Sequence, residues 1–514
     1  MTFRTSTLWL CTVATLCAVS SAQADTGLIV SRTVYPSGAN VPSIFPNVTV
    51  LPNGALAVGD GNFANVFKNE APDPAFGVTT PIIIDRRALD GSIISSFTPG
   101  ANVPLVTSFS SKSELGLNVS QDGRYVTFMG YASRPNALDV SNSNTAFFTD
   151  PSNPVTNPAN ANPTVARAIG VFDLATGAIT STAVNAYSGN NGRGVVLANN
   201  GNFYLAGNAG NSTNSSPLAT GAVFSALSDN TGVQMIAKGN SGNTTVVGAV
   251  NGVFGNSNGY QRGFSITQLG LAADKTGKDD NFRGIVIFND TLYVTKGSGG
   301  NGVNTVYHVG TAGALPTAAN AATTAITIVP GFPALTGGKA DTSTHPFGLW
   351  FGDATTLFVA DEGDGTRTGG TNAGLGEYKL ANGVWSKVAT FANGLTNQAP
   401  YRQGLAWDIF TDGLRNLTGR KNADGSFQLW ATTATTASDT GHDLGADPNE
   451  LVTITIGSDG TAALFSVLET AMAGERLGGV AIAEVSAVPE PETWATVFAG
   501  LGLMFAMRRR RAVS

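Results

Sequence analysis

The sequence predicts an all-β chain assembled from repeated strand pairs. Short runs rich in Val, Ile, Thr, Phe and Tyr alternate with turn residues, and no long segment carries a 3.6-residue apolar period. The 63 glycines among 514 residues follow no Gly-X-Y period, and the 42% hydrophobic content is near that of ordinary globular proteins, so collagen and a disordered tail are both excluded. With only 12% charged residues, the composition fits strands joined by many tight turns.

The repeated phrase is an apolar strand that opens on a small residue, a turn, and a second strand of aromatic and β-branched residues. It occurs at residues 48–60, 117–128, 194–206, 284–295 and 348–360, and with an insertion at 404–407 joined to 427–432. Further pairs follow most copies, such as 168–180 and 376–389, with Asn-Gly, Asp-Gly and Thr-Gly at hairpin tips. Those dipeptides tolerate the positive φ that tight hairpins require. Four antiparallel strands per unit, repeated about an axis, predict a β-propeller; a two-sheet sandwich is the alternative. Unit starts near 48, 117, 194, 284, 348, 404 and 478 give six full blades plus a composite one, with six as second choice. Strand Leu28 to Val34 is expected to close the ring by pairing with the 478–483 segment, which would remove two exposed edges.

The two ends read as addresses. Met1 and Arg4, an apolar run from Leu8 to Val19 and the small residues Ala22-Gln23-Ala24 make a secretory signal peptide over residues 1–24, cut after Ala24. The body is then 25–487, and a third segment, 488–514, runs through Pro489, Glu490 and Pro491 and an apolar stretch from Trp494 to Met507, expected to be helical. It ends on Arg508, Arg509, Arg510 and Arg511. The apolar stretch is short against the roughly 20 residues of a relaxed span, but the arginines can snorkel and would stay on the cytoplasmic side during export. This tail resembles the PEP-CTERM sorting domain over about its last 27 residues. The resemblance implies that Pro489-Glu490-Pro491 is recognised by an exosortase, after export by the secretion translocon and cleavage by signal peptidase. It further implies a precursor held in the inner membrane of a Gram-negative, exopolysaccharide-producing bacterium, and a product at the cell surface or in the biofilm matrix.

Both cysteines, Cys11 and Cys17, fall in the leader, so the body has no disulfide framework and no thiol chemistry. The 29 basic residues less Arg4 and the four terminal arginines leave 24, and the 35 acidic residues less Glu490 and Glu492 leave 33, net −9. An acidic body without a basic stripe argues against nucleic acid as a partner.

One pattern marks the unit starts: Arg193-Gly194, Arg283-Gly284, Arg402-Gln403-Gly404 and Arg476-Leu477-Gly478, with His345-Pro346-Phe347-Gly348 in the equivalent place. Two roles fit it. These side chains would ring the channel mouth and bind an anion such as an acidic polysaccharide or a phosphate group. Alternatively, each arginine packs across a blade boundary onto a neighbouring carboxylate or carbonyl, the role that repetition favours. Asp361, Glu362 and Asp364 cluster hard oxygen ligands beside glycines, where a calcium ion is the conceivable cofactor and an ordinary acidic turn the expected reading. Asp439, His442, Asp443 and Asp447 form a second polar loop, also expected to be solvated. There is no His-Glu-x-x-His helix, and Gly297 to Gly302 leads into a strand rather than a helix, so no catalytic set is predicted. The expectation is a non-enzymatic surface protein that binds glycans or proteins. An extracellular hydrolase or lyase working in the channel and a purely structural matrix protein are the alternatives.

Overall fold

The computed structural model describes residues 25–34, 58–59 and 67–68, and residues 79–485 apart from 110, 112, 136, 138–139, 142–164, 210–227, 255–258, 274–276, 299, 367–371, 396–397, 406 and 439–443. The signal peptide, the phrase at 48–57, the sorting segment and its apolar stretch lie outside the described residues. Thr26–Glu484 form one compact unit. Among the described residues, no helix is long and apolar enough to cross a membrane.

The fold is all-β and propeller-like. Four separate four-stranded antiparallel sheets follow one another along the chain, each in sequence order. The first contains Gly192–Leu197, Asn202–Gly207, Gly232–Ala237 and Thr245–Val247. The next holds Ile285–Phe288, Thr291–Lys296, Thr305–Val309 and Ile326–Ile328. Pro346–Asp353, Thr356–Asp361, Gly374–Ala381 and Val384–Phe391 make the third, and Ile409–Lys421, Phe427–Ala437, Glu450–Ile456 and Ser466–Thr470 the fourth.

The expected six or seven separate blades are corrected here, because nine of the remaining described strands join one sheet, while Val58–Gly59 with Phe67–Lys68, Val250–Phe254 with Gly259–Arg262 and Leu335–Thr336 with Lys339–Ala340 form two-stranded pairs. The join has a local cause. Val106–Ser108 pairs with Thr79–Arg87 through Val106 to Ser108 and touches Tyr125–Tyr131 through Val106 and Tyr131, so one short strand fuses two arrays that would otherwise be separate. The expected closure does form: Asp25–Val34 lies between Thr79–Arg87 and Glu475–Val485.

The closure is bound by charge as well as by backbone. Asp85, fully buried, accepts from Arg32 Nε at 2.6 Å, from Arg87 Nη2 at 2.9 Å and from Ser96 Oγ at 2.6 Å. Arg32 continues to Glu475 at 2.9 Å and Arg87 to Glu469, so both ends of the chain share one network. Ser31 Oγ adds a clasp, donating to the Leu115 carbonyl at 2.7 Å while accepting the Gly479 N–H at 2.7 Å.

Apolar cores lie between consecutive sheets rather than in one centre. Val196, Tyr204 and Met235 pack with Ile285, Leu292 and Tyr307; Val306 packs with Leu349, Phe351 and Tyr378; Phe358 and Leu375 pack with Leu414, Leu429 and Ile454. Leu28, Val30 and Val480 meet Trp430 and Leu451, and Met129 and Ile169 meet Val195 and Leu205, which completes the circuit. Both faces of each sheet are therefore covered, which explains strands with continuous burial such as Thr356–Asp361.

The inner strands approach one another through glycine. A Cβ at Gly284 would lie 2.1 Å from the Phe347 carbonyl oxygen, one at Gly348 2.5 Å from that of Arg415, and one at Gly479 2.5 Å from that of Leu115. Threonines on second strands pin the same seam: Thr127 Oγ1 donates to Val195 O at 2.7 Å, Thr295 Oγ1 to Phe347 O at 2.6 Å and Thr432 Oγ1 to Gly478 O at 2.9 Å.

Candidate functional site

The repeated Arg-Gly pairs bring the glycine to the axis and send the arginine sideways. Arg193 reaches the next sheet, donating to the Phe282 carbonyl at 3.2 Å and to Asn281 Oδ1, while its Nε faces Asn191 Oδ1 at 3.3 Å. Arg283 lies 5.4 Å above the Phe347 ring, donates from Nε to Ser298 Oγ at 3.2 Å and places Nη1 3.7 Å from Glu362 Oε1. Arg476 is buried, and its charge favours ionised Glu114, whose oxygens accept from Thr107 Oγ1 at 2.7 Å, from Ser108 N at 3.2 Å and from the Tyr131 hydroxyl. Burial nonetheless raises the Glu114 carboxyl above its ordinary range. The Arg193–Phe282, Arg283–Phe347 and Arg283–Glu362 contacts run to the neighbouring sheet or the chain around it, whereas Arg193–Asn191 and Arg283–Ser298 stay local.

Two members of the expected ring stand elsewhere. Arg402 is exposed and paired with Asp408 at 2.6 Å, because the inner strand begins only at Ile409. The ring position belongs to Arg415, whose Nε donates to Glu362 Oε2 at 3.2 Å. His345 is half-buried and is held through its backbone: its N–H donates to Asp361 Oδ2 at 2.8 Å, and its carbonyl accepts from the Glu362 N–H at 3.0 Å.

Glu362 thus lies between two guanidinium groups whose side chains are only 11% and 9% exposed. Burial pulls the Arg283 guanidinium below its ordinary value, Glu362 opposes that shift, and Arg415 adds to it. Beside this trio is the axial pocket, with a cavity of about 30 Å³. Arg193, Arg283, Asn118 and Asn416 supply its polar side chains, and Gly116, Gly194, Gly284 and Gly348 its backbone; among the described residues, no Asp, Glu or His lines it. Asn416 stands where the other inner strands carry glycine, and its amide bonds to no described residue.

The acidic turn after Thr356–Asp361 is tied down by hydrogen bonds. Asp361 Oδ1 accepts the Gly363 N–H at 3.0 Å, and Asp364 Oδ1 accepts from Thr366 N at 2.9 Å and from Thr366 Oγ1 at 2.6 Å. Burial raises the Asp361 carboxyl despite the two N–H groups it accepts. Among the described residues, no group of three or more His, Cys, Asp or Glu side chains is arranged to hold a metal. Of the second polar loop only Asp447 is described; it is buried and accepts the Trp407 indole N–H at 2.9 Å. Asp439, His442 and Asp443 lie outside the described residues.

The sequence reading missed three residues that matter here. Arg415 and Asn416 were hidden because asparagine replaces the glycine that marks the other copies. Asp412 was missed because it occupies a bulge of Ile409–Lys421. Its Oδ2 accepts the Gly365 N–H at 2.9 Å, its buried Oδ1 has no hydrogen-bond partner among the described residues, and burial raises its carboxyl to about 7.

No curated protein matches the chain. Among solved structures, a hypothetical selenium-binding protein from Sulfolobus tokodaii is similar at 10% identity and a TM-score of 0.35, over 90% of this chain and 96% of its own. A GH74 enzyme from Niastella koreensis is similar at 12% identity and a TM-score of 0.32, over 75% of this chain and 43% of its own. Residues 487–511 match the PEP-CTERM protein-sorting motif. That motif implies export, processing by an exosortase, and a surface or extracellular destination. Behind a propeller-like all-β body, the chain therefore carries a PEP-CTERM sorting signal at its C-terminus.

Proposed function

We propose that the processed protein is a non-enzymatic binding propeller, held at the surface or in the extracellular matrix of a Gram-negative, exopolysaccharide-producing bacterium, where its axial mouth engages a glycan or a protein. The supporting observation is the pocket lining: two arginines, two asparagines and glycine backbone, in a body that is otherwise acidic. Such a lining offers donors and positive charge, and it contains no carboxylate or imidazole to move a proton.

The test uses the exported protein, recovered from the producing cells and applied to immobilised extracellular polysaccharide and envelope fractions. Retention at low salt that declines as ionic strength rises is expected, because the attraction is screened. Passage through every fraction without retention would overturn the binding reading.

A further inference from the structure

Three features of the described molecule outside the sorting signal invite a role: the small interface pocket around Asp361 and Tyr378, the buried Asp412, and the Arg283–Glu362–Arg415 trio beside the axial pocket. The trio carries the argument furthest. It is the place where two nearly buried cations share a single carboxylate and adjoin a pocket with an unbonded amide.

We propose that this trio is a uronate site, in which the carboxylate of an acidic sugar takes the place of Glu362 between Arg283 and Arg415 while Asn416 meets a neighbouring hydroxyl. The proposal rests on the binding function given above and specifies its ligand. Glu362 is the stand-in: it shows that the geometry accepts a planar carboxylate against two guanidinium groups, the arrangement in which arginine is most selective. The fit is loose, at 3.2 and 3.7 Å. Arg283 Nη2 and both Nη atoms of Arg415 donate to no described residue, so a better-placed carboxylate has donors to gain.

Charge around the trio selects a monoanion. Asp361, Asp364 and Asp412 all lie on or against the turn that carries Glu362, and a second negative charge on a phosphate would meet their repulsion. The pocket of about 30 Å³ beside Arg283 has room for roughly two water-sized groups, enough for a hydroxyl next to the carboxylate rather than for a whole polymer strand.

The experiment is calorimetric titration of the purified full-length protein with galacturonate, galactose and acetate, for wild type and for E362Q, R415Q and N416A. Galacturonate is expected to bind and galactose not to bind. E362Q, which removes the internal competitor, should tighten galacturonate about tenfold or more, R415Q should weaken it by a similar factor, and N416A should weaken galacturonate while leaving acetate unchanged. If E362Q is too unstable for titration, its thermal transition should rise with galacturonate more than that of wild type, and not with galactose. Equal binding of galacturonate and galactose, equal binding of acetate and galacturonate, or no gain in E362Q by either readout would overturn the assignment. Matrix retention without galacturonate binding would remove only the uronate site, whereas loss of both would remove the binding function as well.

Discussion

At the scale of single residues, the axis is built on the absence of side chains. Gly284 is the strictest case, since a methyl group there would overlap a backbone oxygen that has no rotamer to move. Gly284→Ala should cost about 2 kcal/mol or more in urea unfolding, whereas Gly300→Ala, exposed and with nothing near its added methyl, should stay within about 0.5 kcal/mol. Asp412 gives a pH signature. Its folded pKa of about 7 lies above the ordinary 3.8, chiefly through burial; Asp364 and Glu362 add to the rise while the Gly365 N–H and Arg415 oppose it. An acid raised in this way does no harm below about pH 4 and destabilises the fold increasingly as pH rises through 7. Asp412→Asn should therefore raise the melting temperature at pH 8 and give no such gain at pH 4, as thermal denaturation at the two pH values would reveal. The Arg-Gly pattern was legible in the sequence at Arg193 and Arg283, because glycine and arginine are adjacent there. It was not legible at Arg415, where the glycine is replaced, and Arg402-Gln403-Gly404 imitated it on an exposed loop.

At the scale of elements, hairpins were readable from alternation and turn dipeptides, as the pairing of Gly374–Ala381 with Val384–Phe391 across Asn382-Gly383 illustrates. Closure by Asp25–Val34 was readable too, because the 478–483 strand had too little chain after it to complete a sheet. The fusion of strands into a nine-stranded sheet was not. It depends on Val106–Ser108, three residues whose partners are fixed by tertiary position rather than local pattern. Closure should be fragile at its charged centre: Asp85→Ala would leave Arg87, 1% exposed, beside a missing partner and cost about 3–5 kcal/mol in denaturant unfolding. Removing the partner of a buried cation is the expensive change; an exposed pair such as Lys421–Asp353 should matter far less.

At the scale of the whole molecule, buried arginines and close-packed glycines tie neighbouring sheets together: Arg193 reaches Phe282, Arg415 reaches Glu362 and Gly284 packs against Phe347. Arg193 and Arg283 also line a small pocket in an acidic body, and the sorting motif implies where such a body is delivered. The direct measurement is the intact mass of the protein released or displayed by an exosortase-bearing host. The account predicts a chain that begins at Asp25 and lacks the stretch from Trp494 to Arg511, with replacement of Pro489, Glu490 and Pro491 by alanine leaving that stretch in place. An exported wild-type protein that still carries residues 492–514, or one whose processing is unchanged by the alanine replacement, would contradict it.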